Sequence, residues 1–207
     1  MIKKVIIKLR ERKYQRELQK QNHNLDFSLI TNNCIAGIIY HNLGIRFKTP
    51  TINLFIAGED YLYFVKDLHY YLAQDLLEEK GLEKNYPVGR LAGDDTHKSI
   101  LIHFLHYKSF DDAKKKWVER ALRINWDNML FIWEFYDDQY DTNLLQEFDN
   151  LPIKKMCIIH REMPEIKNKT IIESNNTPGR IFEYEGLTGK RYLDRFDYIS
   201  FLNNVGE

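Results

Sequence analysis

Residues 27–43, FSLITNNCIAGIIYHNL, decide the fold. The segment 27–30 reads as a short buried strand, and Thr31, Asn32 and Asn33 are residues that cap helices. Cys34 then opens the apolar run Cys34-Ile35-Ala36-Gly37-Ile38-Ile39, a helix that Gly44 closes. A strand that turns directly into a helix leaves backbone N–H groups unpaired at the strand's carboxyl end. Such a turn attracts anions and depresses the pKa of a thiol seated there. One segment therefore predicts both an element pair and the place of a site.

Downstream, residues 51–56 after Pro50 read as a second strand, and 59–79 as a long helix ended by Gly81. The helix takes its apolar stripe from Tyr61, Phe64, Leu68, Leu72 and Leu76. Strand, helix, strand, helix in that order predicts parallel pairing. Residues 86–91 suit a short strand and 92–99 a turn. Residues 100–107, ILIHFLHY, are the most apolar strand, expected at the centre and covered on both faces. Ser109 caps a helix over 110–123, and 129–135, MLFIWEF, is another buried strand. A helix at 141–151, strands at 155–160 and 170–173, a hairpin from 180–184 to 191–193 and a helix at 196–203 complete the chain. The expected fold class is α/β: a single three-layer domain over 25–207 with a mostly parallel sheet and a C-terminal hairpin and helix appendage.

The chain has 207 residues, 43% hydrophobic and 29% charged, which suits a globular domain with one core. A formal net charge of zero gives no overall field to draw nucleic acid, so no nucleic-acid partner is expected. Charge is uneven, however. Residues 1–20 hold eight Lys or Arg against Glu11 and Glu17, so 1–24 read as a basic leader helix or tail able to touch anionic lipid. The apolar core of that leader is too short for a signal peptide, and no stretch is long enough to span a bilayer. A cytoplasmic location, peripheral at the inner face of the membrane, is expected. Cys34 and Cys157 form no CxxC, which removes zinc-ribbon and secreted-disulfide readings.

In open parallel sheets, ligands sit beyond the carboxyl ends of the strands. The residues after each expected strand are Asn32, Asn33 and Cys34; Gly58, Glu59 and Asp60; His106, Lys108 and Ser109; Glu134, Asp137 and Asp138; and His160, Arg161 and Glu162. Cys34 at a helix start is a nucleophile candidate with His106 as base, since His41 lies about 10 Å along the same helix. A free cysteine is more often a small buried apolar residue, and Cys34 is also readable as one wall of a pocket. His103 and His106, three apart on a strand, point to opposite faces and share no metal. Asp137, Asp138 and Asp141 lack the Asp-x-Asp arrangement of metal-dependent nucleotide-sugar transferases, so no metal ligand is assigned. GxGxxG, GxxxxGK[ST], GxSxG and HExxH are all missing, which removes the best sequence support for dinucleotide, P-loop, serine-hydrolase and zincin chemistry.

The runs 28–56, YPVGRL at 86–91, 100–128 and FDNLPIKK at 148–155 resemble the bacterial family catalogued as domain of unknown function 1919. Its members are often called exopolysaccharide biosynthesis proteins. The resemblance covers about 25–160 and is most specific at Asn32-Asn33-Cys34-Ile35-x-Gly37 with Tyr40-His41, at 106–110 and at Asn125-Trp126-Asp127-Asn128. Ala36 departs from the glycine expected in many relatives. The resemblance implies a part in making or decorating surface glycan and transfers no catalytic residue.

Together these observations predict a transferase that moves a sugar or other substituent from a nucleotide-sugar or acyl donor to a glycan or lipid-linked glycan. No cofactor is assigned. His106 is the expected general base and Cys34 the second catalytic candidate. Asn32, Asn33, His41, Glu59, Asp60, Lys108, Ser109 and Arg161 are expected to bind substrate, with Lys108 or Arg161 offsetting leaving-group charge. The rivals are a non-catalytic glycan- or nucleotide-binding assembly protein and a cysteine-dependent acyltransferase or hydrolase.

Overall fold

Strand β1 (Ser28–Thr31) pairs in parallel with β5 (Met129–Glu134), β5 with β6 (Lys155–Ile159), and β6 with β7 (Lys169–Ile171), giving the order β1-β5-β6-β7. The computed structural model describes residues 2–136, 139–173 and 177–204. Around this sheet lie α1 (Ile2–Gln21), α2 (Ile35–Leu43), α3 (Gly58–Lys66), α4 (Leu68–Ala73), α5 (Phe110–Ala121), α6 (Thr142–Asp149) and α7 (Tyr198–Asn203). A second, antiparallel sheet joins β2 (Leu76–Glu78), β3 (Val88–Leu91) and β4 (Ile100–His103).

Period-two alternation along the parallel strands sorts the core into two layers. Leu29, Leu130, Ile132 and Ile158 pack with Ile35 and Ile39 of α2 and with Tyr198 and Leu202 of α7. Ile30, Phe131, Trp133 and Cys157 pack on the other face with Tyr61 and Phe64 of α3, Phe148 of α6 and Trp117 of α5. Leu76, Leu91, Ile100 and Ile102 of the antiparallel sheet join this second layer. The fold is α/β, with helices on both faces of a mostly parallel sheet.

Four sequence expectations give way to tertiary structure. The helix expected over 59–79 breaks at Asp67, whose carboxylate accepts the Tyr70 N–H at 3.1 Å and starts α4 afresh. Leu76 then lies in a strand. The expected strand at 51–56 is interrupted by Asn53 at φ +61°, and Phe55 alone bridges to His103. The apolar run at 100–107 yields only β4, at the side of the antiparallel sheet, with alternate residues partly exposed; it is not the covered centre of the parallel sheet. At the C-terminus the hairpin shrinks to a bridge between Tyr184 and Arg191 flanked by turns of 3-10 helix.

The basic leader is seated on the body. Leu18 is buried, and Gln15 and Gln19 donate to the side chain and backbone carbonyl of Asn42 at 3.2 and 3.0 Å. Glu11 accepts from Tyr184 and Arg191 at 2.7 and 2.9 Å. Gly189, at φ +80°, lets the chain come so close that a Cβ there would lie 2.4 Å from the Glu11 nitrogen. No helix among the described residues is long and apolar enough to cross a membrane.

His97 clamps the turn before β4 onto the α3–α4 junction. It bridges Asp94 and Asp67 at 2.9 Å each and stacks on Tyr70 at 3.7 Å. Hydrogen bonds that its ring donates to Asp94 and then Asp67 raise its pKa. A raised folded pKa contributes stability that is complete below the unfolded value of about 6.5 and fades as pH rises through the folded value. His97→Ala should therefore destabilise more at pH 5.5 than at pH 9 in urea titrations; an equal loss at both would contradict this linkage.

Candidate functional site

Thr31 ends β1, Glu134 ends β5, His160 follows β6, and α2 starts beside all three. Asn32 ties the strand ends together. Its Nδ2 donates to the Glu134 carbonyl and its Oδ1 accepts the Glu134 N–H, both at 3.0 Å, so one side chain continues the parallel ladder past the backbone. Asn33 faces the other way: its Oδ1 accepts the Ile35 N–H at 3.1 Å while its Nδ2 donates to Glu134 Oε2 at 2.5 Å. Thr31 Oγ1 accepts the Ala36 N–H at 3.3 Å. Two amides of the helix start that suit an anion are thus already satisfied by side chains. A donor phosphate finds those amides occupied, with a carboxylate close by.

Glu134 is wholly buried, and an isolated carboxylate there would be costly. It is held by the Asn33 amide and by the Tyr136 hydroxyl, which donates to Oε1. His160, also buried, donates Nδ1–H to the Ile172 carbonyl at 2.8 Å and places Nε2 3.4 Å from Glu134 Oε1. A carbonyl only accepts, so Nδ1 carries a hydrogen; Nε2 and Oε1 then repel unless a proton lies on one of them. A proton arriving at either atom would lie between the two side chains. Tyr136 keeps its own proton, since burial and the nearby Glu134 carboxylate both push its pKa up.

Above this floor opens a cleft of about 970 Å³. Glu134 and Tyr136 lie at its base; Ile38, Phe47, Phe55 and Leu105 give apolar walls; Phe182 and Arg191 come from the C-terminal segment. Asn33, Cys34, His41 and His106 all line it, the two histidines exposed at the rim. The cleft is more apolar than a diphosphate cradle. Its one lining Lys or Arg among the described residues, Arg191, is paired with Glu11.

Other expected site residues lie elsewhere. Asn32 supports the floor without lining it. Glu59 pairs with Lys98 at 2.8 Å, and Asp60 accepts the Leu101 N–H at 3.0 Å, so they fasten α3 to the turn before β4 and to β4 itself. Lys108 and Ser109 line a separate shallow depression, where Ser109 caps α5 by accepting the Asp112 N–H at 3.3 Å. Arg161 is exposed beside His160 and outside the cleft lining. Asp137 and Asp138 lie outside the described residues, and among those described no three His, Cys, Asp or Glu side chains converge on a metal position. Asn125 and Asn128, from another family-like motif, hold the Asp26 carbonyl at 3.0 and 2.8 Å, before the start of β1 and away from the cleft.

Cys34 does not have the environment of an activated thiol. Burial, followed by the charge of Glu134, pushes its pKa up to about 11, opposite to the depression expected at a helix start. Its Sγ points at the Leu54 carbonyl at 4.0 Å. Alkylation of Cys34 should thus be slow at pH 7.5 and accelerate steadily toward pH 10. Fast labelling at neutral pH, followed by mass spectrometry, would contradict that reading.

Glu134 carries more of the site than its place among the strand-end residues suggested. A single acid inside MLFIWEF was the available signal, because a charge embedded in a buried strand demands partners. A family model described as a domain of unknown function (DUF1919) matches residues 1–203, taking in α1 and the C-terminal wall of the cleft. A protein of Haemophilus influenzae described as an uncharacterized protein is 37% identical over 194 residues, covering 92% of this chain and 90% of its own length.

Proposed function

The chain belongs to the DUF1919 family, and from that premise we propose that its cleft is the active site of a transferase moving a sugar or other substituent from an activated donor to a hydroxyl of a surface glycan. The carrying observation is the buried Glu134 at the base of a large, mostly apolar cleft, within reach of His160 and held by Asn33 and Tyr136. In the transfer the acceptor oxygen bonds to the electrophilic carbon of the donor. The donor's bond to its leaving group breaks, and the electron pair departs with that group. The hydroxyl proton goes to the Glu134–His160 pair. In this reading the base is the Glu134–His160 pair, and His106, exposed at the rim, contacts the substrate. The glycan assignment draws on the sequence resemblance to proteins called exopolysaccharide biosynthesis proteins, and the apolar walls suit a lipid-linked or ring-bearing substrate.

The test is turnover of purified protein with a panel of nucleotide-sugar and acyl donors and glycan acceptors. One donor class should be consumed, and His106→Ala should raise KM with kcat little changed. No consumption of any donor, or loss of kcat alone in His106→Ala, would overturn the assignment.

A further inference from the structure

We propose that α1 is a docking helix for an anionic phospholipid surface. The helix is about 30 Å long. It grips the protein through Glu11, Tyr14, Gln15 and Leu18, which recur at helical spacing on one side. The opposite side is unpartnered. Ile2, Val5 and Leu9, at 77, 53 and 60% exposure, form an apolar stripe over its first turns. Arg12, Lys13, Arg16 and Lys20 continue that face, all exposed, and Lys3, Lys4 and Lys8 on the same first turns are exposed too. Of the two acids in the helix, Glu11 is turned inward to Arg191 and Tyr184, which leaves Glu17 alone on the solvent side.

Aliphatic side chains flanked by Lys and Arg match a bilayer interface, where the stripe enters the acyl boundary and the cations meet lipid phosphates. Nucleic acid supplies the phosphates but leaves Ile2, Val5 and Leu9 with no use. A second copy of the helix would set like charges against each other. The proposal does not depend on the transferase reading, although Arg191 joins α1 to the cleft wall and would hold the cleft near the membrane.

Flotation of the full chain with vesicles tests it. One set is phosphatidylcholine alone and the other contains about one-third phosphatidylglycerol. The chain should float with the anionic set only, less so at high salt. Lys13→Ala and Arg16→Ala should each weaken partitioning about fivefold, and Val5→Ser with Leu9→Ser by about tenfold or more. These side chains are exposed, so circular dichroism should match the parent. Equal partitioning into both sets, no partitioning into either, indifference to the Val5 and Leu9 changes, or displacement by duplex DNA would each overturn the proposal.

Discussion

Glu134→Gln should leave the fold standing and lower turnover about 10²- to 10⁴-fold, the range a positioned acid–base group supplies. Its tolerance follows from the hydrogen bonds. A glutamine can turn its carbonyl to the Asn33 amide and its NH₂ toward Tyr136 Oη and His160 Nε2, both able to accept. The Tyr136 hydroxyl alone gives up the oxygen it donated to, so the melting temperature should fall by a few degrees, less than in Glu134→Ala. What disappears is the proton site. Glu134→Ala behaves differently: it strands the Asn33 and Tyr136 donors in a buried space and should cost about 3 kcal/mol or more. Equal turnover in wild type and Glu134→Gln, with whichever donor is used, removes Glu134 from the chemistry.

Asn32→Asp should destabilise by about 3–5 kcal/mol, a fall of about 6–20 °C in Tm for a chain of this length. Asn32 uses both ends of its amide at once, accepting from the Glu134 N–H and donating to the Glu134 carbonyl at 3.0 Å. Aspartate is nearly the same shape and keeps the first bond. It replaces the second with an oxygen facing an oxygen, and adds a buried charge near the Glu134 carboxylate. The Ile56 N–H donated to the Asn32 carbonyl at 2.8 Å ties the 50s loop to the same residue, so the disturbance reaches the cleft wall at Phe55. Thermal melts of the purified variant measure it; a shift below about 2 °C would show that the side-chain rung is dispensable.

Much of this was legible in the chain wherever local rules and packing agree. The turn from β1 into α2, the Ser109 cap and the buried β5 follow from capping chemistry and apolar runs, and they survive folding. The 59–79 region failed because Asp67 satisfies Tyr70 and His97 more effectively than helix continuation would, a choice made partly by a residue thirty positions away. The run at 100–107 misled for another reason: apolar composition shows burial but not which sheet a strand joins. For the site, placing candidates at strand ends brought Asn33, Cys34 and His106 to one cleft, which His41 of α2 also lines. The dominance of Glu134 was hidden, because the Asn33 amide, the Tyr136 hydroxyl and the His160 ring converge on it only after β1, β5 and β6 pair. Phe182 and Arg191 come from a segment whose pattern carries little periodicity, so its contribution to the wall had no sequence signal.

The most direct measurement is a crystal structure of Glu134→Gln holding the donor that wild type consumes, with a glycan acceptor. The expected result is both ligands in the cleft, the acceptor hydroxyl within about 3 Å of the residue 134 side chain and in line with the donor's breaking bond. A donor seated in the depression lined by Lys108 and Ser109, or an acceptor hydroxyl held by His106 at the rim with residue 134 untouched, would contradict it.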